Sequence, residues 1–490
     1  MSTLTTALHY AVSGLSVSSA QSALASRNVA FAQDPGYSRR TAQLITLPGG
    51  GAAVGMWTRS ADKLLLDKLL AATSLAAGAQ AASSAFLQLS AIVGDPEADS
   101  SVGALVGKLQ TSLAGLEANP SSMALASGAV QSAQDLAVAI NGASAAVQSM
   151  REQADHDMSD SVGRINNLLS QFKVANDAVI RGTGTADELS DNLDERDRIL
   201  KLLAEETGIR TVTRSNNDIA IYTEGGVTLF EGIPRKVEFT PTQPMTAGAL
   251  GNSVMVDGVA IVGGPSPMPA RHGRLAGLAV LRDSVGITVQ TQLDEIARGL
   301  IEIFSEQEQT AAPSLPDAAG LFTDGNSAAI PAAGLQSLGL AGRIRVNPLA
   351  LPSAGGNPFL LRDGGFGGAT FVYNPTGAAS FQGRLAELQG AFDSPRAFLQ
   401  QAQIGTSLDI KSFSFGSAGW IEAQRQGAET TMQSAAAMRL RTSESLLRIT
   451  GVNIDEEMAS ILDLERSYQA SAKVLTTIDQ MLASLMAAIG

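Results

Sequence analysis

Apolar side chains recur at helical spacing along most of this chain, and its two ends carry matching stripes. Ile454, Met458, Ile461, Tyr468, Ala472, Leu475, Leu482, Met486 and Ile489 follow a 4-3 rhythm. Leu4, Leu8, Ala11, Leu15, Ser18, Ser22, Ala25 and Val29 keep the same rhythm with smaller residues. Such spacing lines each set along one side of a helix, as a seam for another helix. A bulky stripe facing a small-residue stripe predicts close antiparallel packing of the first and last segments. Neither stripe can bury itself alone, so the pattern asks what assembles rather than what reacts.

Between the ends the periodicity changes several times. Residues 3–33 read as one amphipathic helix, closed by the turn signal Asp34-Pro35-Gly36-Tyr37. An extended stretch over 38–60 contains Pro48-Gly49-Gly50-Gly51, and a long helical pattern from Ser60 stops near Asp95-Pro96. Residues 100–206 read as helical, with breaks near Asn119-Pro120 and Gly182–Gly184. From Gly208 the runs become short, alternating and β-branched, and Asp257-Gly258 joins two of them as a hairpin turn. Helix returns over 274–308, again over 385–403, and once more over 420–449 before the terminal helix. Residues 310–383, rich in Gly, Pro, Ala and Asn, read as loop with minor structure.

The expected fold is mainly α with a β insert. Residues 1–56 and 450–490 pair as a terminal-helix inner domain, and 57–207, 270–310 and 384–449 form a helical middle domain. The β-rich insert is 208–269, and 311–383 is a Gly/Pro-rich loop segment. The ends nest around the centre, so each layer is made from both halves of the chain.

Composition narrows the function. With 490 residues the chain exceeds what one compact core usually serves. A formal net charge of −13 argues against nucleic acid or an anionic membrane as partner. There is no cysteine, no basic stretch before Arg27, and no continuous apolar run near the start, so no cleaved secretory signal is expected. No stretch reads as a transmembrane span.

Catalytic chemistry finds no constellation. His9, His156 and His272 stand apart from one another and from any metal-ligand spacing. Asp187, Glu188, Asp191, Asp194, Glu195 and Asp197 lack the Gly and alternation of a calcium loop, and read as a solvated helix face. Gly364–Gly368 reads as a flexible turn. No cofactor, metal or catalytic residue is expected. The clearest local signal is Asn453 with Glu456, a capping-box pattern, with Asp455, Glu456 and Glu457 placing negative charge on the first helical turn.

Those same residues carry a family likeness. Gly451-Val452-Asn453-Ile454-Asp455-Glu456-Glu457-Met458-Ala459 and the run Tyr468 to Leu482 resemble the C-terminus of the bacterial flagellar hook-associated protein 1 family. Ala25-Ser26-Arg27-Asn28-Val29 and Pro35-Gly36-Tyr37-Ser38-Arg39 are similar to the N-terminal motif of flagellar rod, hook and hook-associated proteins. Asn192 to Asp197 followed by Gly208-Ile209, and Arg274 to Leu278, resemble internal segments of the same family. The family usually has a second Asn where this chain has Arg27, and further Asn positions fall here on Phe31 and Gln33.

The resemblance implies an extracellular structural subunit that forms a ring joining hook to filament, exported without a cleaved signal, and not an enzyme. Implied partners are further copies of itself, the hook protein, a second hook-associated junction protein, and a cytoplasmic export chaperone at the C-terminal region. No nucleic acid or membrane insertion is implied. The subunit interface is expected at Leu4, Leu8, Ala11, Leu15, Asn28, Gly36, Tyr37, Arg39, Asn453, Ile454, Met458, Ile461, Tyr468, Leu475 and Leu482. Alternatives are a hook or rod axial protein, and, from another class, a secreted enzyme such as a peptidoglycan hydrolase. A surface-adhesion role for the β insert would coexist with the first reading.

Overall fold

The structure is a computed structural model that describes residues 2–48, 50–93, 101–182, 186–325, 327, 329–332 and 334–489. Small residues and long uninterrupted periodicity make long helices. The first, α1, runs Ser2–Ala30, and a hairpin follows of β1 (Arg40–Thr46) and β2 (Ala52–Arg59). Helices α2 (Lys63–Val93), α3 (Val102–Ala118), α4 (Met123–Arg181) and α5 (Ala186–Glu206) build the body. The break expected near Asn119-Pro120 is real. Ser122 caps α4 by accepting the N–H of Leu125 at 3.3 Å, and α4 then continues unbroken for 59 residues to a left-handed Gly182. The remainder of the second expected break, Thr183 and Gly184, lies outside the described residues.

Helix α4 is the spine of the core. Its inward positions from Ala126 through Leu136, Ile140, Val147, Met158, Ile165 and Phe172 to Val179 are buried. Such a stripe is wide enough to take α3 and α5 on one flank and later elements on the other. Helix α2 corrects one expectation. By length and composition, with mean hydropathy 1.2 over its most apolar window, it would suffice to cross a membrane. Here its apolar face, including Leu69, Leu70, Ala72 and Leu89, is buried, and the helix packs along α5 and helices of the second half of the chain.

The alternating segment forms β3 (Ile209–Thr213), β4 (Ile219–Thr223), β5 (Thr228–Glu231) and β6 (Ile233–Pro234), an antiparallel meander. A second sheet holds β7 (Val237–Glu238), β8 (Val254–Val256) and β9 (Val259–Val262). Asp257 and Gly258 both take positive φ between β8 and β9, the geometry a tight hairpin needs. Helix α6 (Arg274–Val280) and α7 (Gly286–Ile303) replace the single helix expected over 274–308, with a π turn at Leu281–Val285 between them. That turn places Arg282 wholly inside, hydrogen-bonded to Asp155 of α4 and at 2.9 Å to the Asn252 carbonyl. It ties helix, turn and insert together.

Residues 310–383 are not free of the core. Strands β10 (Phe322–Asp324) and β11 (Ile344–Val346) pair, and Leu321, Phe322, Leu340 and Ile344 are fully buried as this segment packs on α7 and α4. Low aromatic content and many glycines hid the few anchors that matter. The run Gly364–Gly368 follows a short helix, α8 (Leu360–Asp363), and encloses the carboxylate of Glu306, which accepts the N–H of Gly367 at 3.0 Å. Burial pushes the Glu306 carboxyl up, against the lowering pull of those backbone donors. The turn is a cradle for an internal side chain.

Helix α9 is shorter than expected, Gly383–Asp393, because Ser394-Pro395 ends it; β12 (Arg396–Ala397) and β13 (Ser407–Leu408) follow. Helix α10 begins earlier than expected and runs Ile410–Thr450, with Asp409 capping it through the Ser412 N–H at 2.8 Å. It packs along α2. Helix α11, Ile454–Ile489, returns beside α1 and completes a mainly α fold with small sheets.

Candidate functional site

The two terminal helices pack on each other, and three contacts fix their register. A Cβ on Gly14 would stand 3.0 Å from Ser471 Oγ, Ser18 Oγ donates to Ser467 Oγ at 3.4 Å, and Asn28 Nδ2 donates to Glu457 Oε2 at 3.1 Å. Each step forward along α1 matches a step back along α11, so the pair is antiparallel. Glycine at 14 permits the close approach that a side chain would prevent.

The buried seam is out of phase with the apolar stripe. On α11 the inward set is Glu457, Ile461, Leu464, Ser471, Leu475, Ile478 and Leu482; Glu457 and Ile478 are buried and the others half-buried. Ile461, Leu475 and Leu482 were expected there. Ile454, Met458, Tyr468 and Met486 are exposed, so they flank the seam rather than fill it. On α1, Ala11, Ser18, Ala25 and Asn28 are buried, while Leu4, Leu8 and Leu15 are half-buried. Hydrophobicity counting passed over Gly14, Asn28, Glu457 and Ser471, the small and polar positions that hold the helices together.

At its lower end the pair is tied by a buried polar knot. Asn28 Oδ1 accepts from the Tyr37 hydroxyl at 2.8 Å and from the Arg40 N–H at 3.2 Å, and its amide donates to the Arg40 carbonyl at 2.9 Å. Tyr37 is buried and stacks on Phe31, with ring centroids 5.3 Å apart. Arg39 Nε donates to Glu457 at 2.6 Å and its backbone N–H to the Thr450 carbonyl at 2.7 Å. Gly36 is half-buried in the same turn. Asn453 is exposed and caps α11, its Oδ1 accepting the N–H of Asp455 at 3.1 Å. Its amide meets the Glu456 carboxylate at 3.3 Å, a variant of the expected capping box. Asn28, Tyr37 and Arg39, expected at the interface, are thus engaged by their own chain.

The acidic face of α5 corrects another expectation. Asp191, Asp194 and Asp197 do not form a solvated face; they receive arginines from the terminal unit. Arg27 pairs with Asp191 at 2.9 Å, Arg59 with Asp194 at 2.9 Å and with Asp197 at 2.7 Å, and the fully buried Arg40 bridges Asp191 and Asp194. Burial works against the charged forms here. Hydrogen bonds from Arg40 and Arg27 nonetheless hold the Asp191 carboxyl below its ordinary value, and Asp197 with Asp194 raises the Arg59 guanidinium above its own. Glu195 pairs with Arg198 at 2.7 Å on the outer side, as helix spacing predicts. Arg27 therefore works as part of the joint.

Beside this joint lies a groove of about 640 Å³ between the Pro35–Ser38 turn, α2, α5 and α10. Arg196 lines it, and burial pulls its guanidinium down to about 10 against the opposing charge of Asp197. Two side-chain pairs line it as well: the Thr211 hydroxyl donates to Asp67 at 2.9 Å, and Lys63 Nζ donates to the Thr213 hydroxyl at 2.8 Å. His272 Nδ1 lies 2.7 Å from Glu224 at the base of the β insert, His9 and His156 are exposed, and no metal-holding cluster of three occurs among the described residues.

Residues 86–318 match the family described as flagellar hook-associated protein FlgK helical domain, and residues 444–488 match the flagellar basal body rod FlgEFG protein C-terminal family. Over 329 residues the chain is 25% identical to flagellar hook-associated protein 1 of Escherichia coli (strain K12), covering 64% of this chain and 58% of that protein. The match therefore spans less than two thirds of that relative. The flagellar hook junction protein FlgK from Burkholderia pseudomallei is also similar, at 21% identity and a TM-score of 0.41, over 53% of this chain and 47% of that one. The likeness to hook-associated protein 1 is thus borne out, by matches in the middle of the chain and at its C-terminal end.

Proposed function

We propose that this chain is a structural subunit of the bacterial flagellum that forms the ring joining hook to filament. The observation that carries this reading is α11 itself. It lies in the segment resembling axial flagellar proteins, yet Ile454, Met458, Leu462, Tyr468, Met481 and Met486 remain exposed along it after α1 has docked. Large apolar side chains in such number on one helix mark a surface that neighbours cover.

In this reading the terminal unit is the inner domain, the helical body the next layer, and the β insert the outer one. The interface runs along the exposed flanks of α1 and α11, and the buried knot at Asn28 and Glu457 aims them. The remaining partners are the hook protein, the second junction protein, and a chaperone that holds α11 before export without a cleaved signal. Gold labelling of isolated flagella tests the placement: a narrow band at the hook–filament boundary is expected. Label along the whole hook would make it a hook protein and overturn the junction reading. Replacing Leu475 and Leu482 by Asp removes incorporation while the helical body stays folded, because both charges would enter the half-buried seam against α1 and part the terminal pair. Normal incorporation of that variant would count against the seam.

A further inference from the structure

From Thr41 to Thr58 the chain has no Asp, Glu, Lys, Arg or His. This uncharged stretch is the β1–β2 hairpin, and it lies along α1. A Cβ on Gly50 would fall 2.4 Å from the Tyr10 ring, the Ala52 N–H donates to Ser13 Oγ at 3.4 Å, and the base meets Asn28 through Arg40. Its exposed apolar side chains are Leu44 and Ile45, each 50% exposed and on opposite sides of the ribbon, and Met56, 54% exposed, interleaved with the uncharged polar Thr41, Gln43 and Thr46. A bulge between Gln43 and Leu44 twists the ribbon, and Ile45 folds over Gly55, where a Cβ would lie 2.6 Å from it. A two-stranded ribbon of this kind is marginal without a further layer.

We propose that this hairpin is the docking site for the last turns of α11 in a second copy of the chain. The proposal rests on the assembly reading above and names the contact that builds it. An uncharged surface that exposes Leu44, Ile45 and Met56 calls for an uncharged partner with apolar side chains, since any charge brought against it would lose its water. From Val474 to Ile489, α11 carries Asp479 as its one charged residue. There Val474, Met481 and Leu485 recur along one helical flank and stay exposed.

The same molecule cannot make this contact. The hairpin spans α1 from Asn28 up to Tyr10, and Gly14 stands opposite Ser471, so α11 beyond residue 474 runs past the hairpin tip. Only a copy displaced along the helix axis, by roughly 20 Å at 1.5 Å rise per residue, presents that flank to the hairpin. Two different surfaces meeting head to tail generate a ring or a helical stack, not a closed two-fold dimer.

The absence of native cysteine makes the test clean. A full-length chain carrying Leu44→Cys with Met481→Cys, incorporated into flagella and mildly oxidised, gives covalent dimers and higher multiples on non-reducing gels. Either single variant gives none of that ladder. A chain with Ser18→Cys and Ser467→Cys, whose hydroxyls already touch, serves as the intrachain oxidation control and forms its bond within one copy. If the double variant incorporates and the control oxidises, yet the Leu44/Met481 chain stays monomeric, the hairpin contact is overturned and the assembly reading stands. If sedimentation and microscopy find no multi-copy assembly even of the unmodified chain, both fall together. Leu44→Asp, at an exposed site, keeps the thermal unfolding of the monomer and loses incorporation; normal incorporation of it likewise overturns the contact.

Discussion

Helices α4 and α11 are both long, both Ala- and Ser-bearing, and both begin from a capping side chain, yet they keep very different company. Helix α4 buries a continuous stripe from Ala126 to Val179. Helix α11 buries Glu457 and Ile478 among its described residues and leaves Met458, Leu462, Val474 and Met481 about half exposed. Amphipathicity alone does not separate them. What separates them is how many elements of the same chain come back to pack on each: helices, strands and loop segments for α4, essentially α1 for α11. The body covers its apolar stripe within one copy, and the ends leave much of theirs exposed.

The comparison breaks most sharply at the core. Phe172→Ala, which removes a fully buried ring edge-on to Phe230, should cost the body about 4 kcal/mol in denaturant unfolding. Ile478→Ala should leave that transition in place and instead speed proteolysis of the terminal helices. A matching loss of body stability in both variants would erase the distinction. Next in size is the joint. Glu457→Ala leaves Arg39 and the buried Asn28 amide without their carboxylate and should loosen the terminal pair by about 2–3 kcal/mol, read as cleavage near Ser38 or Gly451.

How much of this was legible follows from what each residue type advertises. The long helices, the β insert and the antiparallel ends were legible because period and turn chemistry are local. The Asp257-Gly258 turn and the Asn453 cap are local too. The phase of the α1–α11 seam was not, because Gly14 and Ser471, half-buried, and Asn28, fully buried, face the partner helix without scoring as apolar. Nor were the pairs of Arg27, Arg40 and Arg59 with Asp191, Asp194 and Asp197, since a charged helix face looks solvated until a distant segment arrives. The uncharged run Thr41–Thr58 was visible in the sequence all along, although its Gly-rich centre read as irregular.

Acidity sharpens the comparison, because the two regions shift a carboxylate in opposite directions. Burial lifts the Asp294 carboxyl on α7 to about 6, although it accepts the N–H groups of Gly339 at 2.9 Å and Ala341 at 2.8 Å. Its folded value lies above its ordinary one, so the stability it adds is full at low pH and is lost as pH rises through about 6. Asp294→Asn should flatten that slope between pH 4 and 6, an effect of roughly 3 kcal/mol from a shift of this size. Asp191 is held below its ordinary value, so its contribution is present above that value and is lost as pH falls through the lowered one. Acid should therefore loosen the joint while firming the contact of Gly339–Ala341 with α7. The smallest effect belongs to Asp191→Asn: its carboxylate is half exposed, so the loss should stay under about 1 kcal/mol and shrink with added salt. Unfolding curves at two ionic strengths would show it.

Ser18 and Ser467 touch although 449 positions separate them along the chain. Closing so long a loop has a substantial entropic cost for a single helix pair that buries little. The pairing therefore comes last in folding, after the body has drawn the two ends within reach. Until the final helix is made and the body has formed, the first helix has nothing to lie against. A chain kept from forming its body would keep both ends open, extended and free to thread.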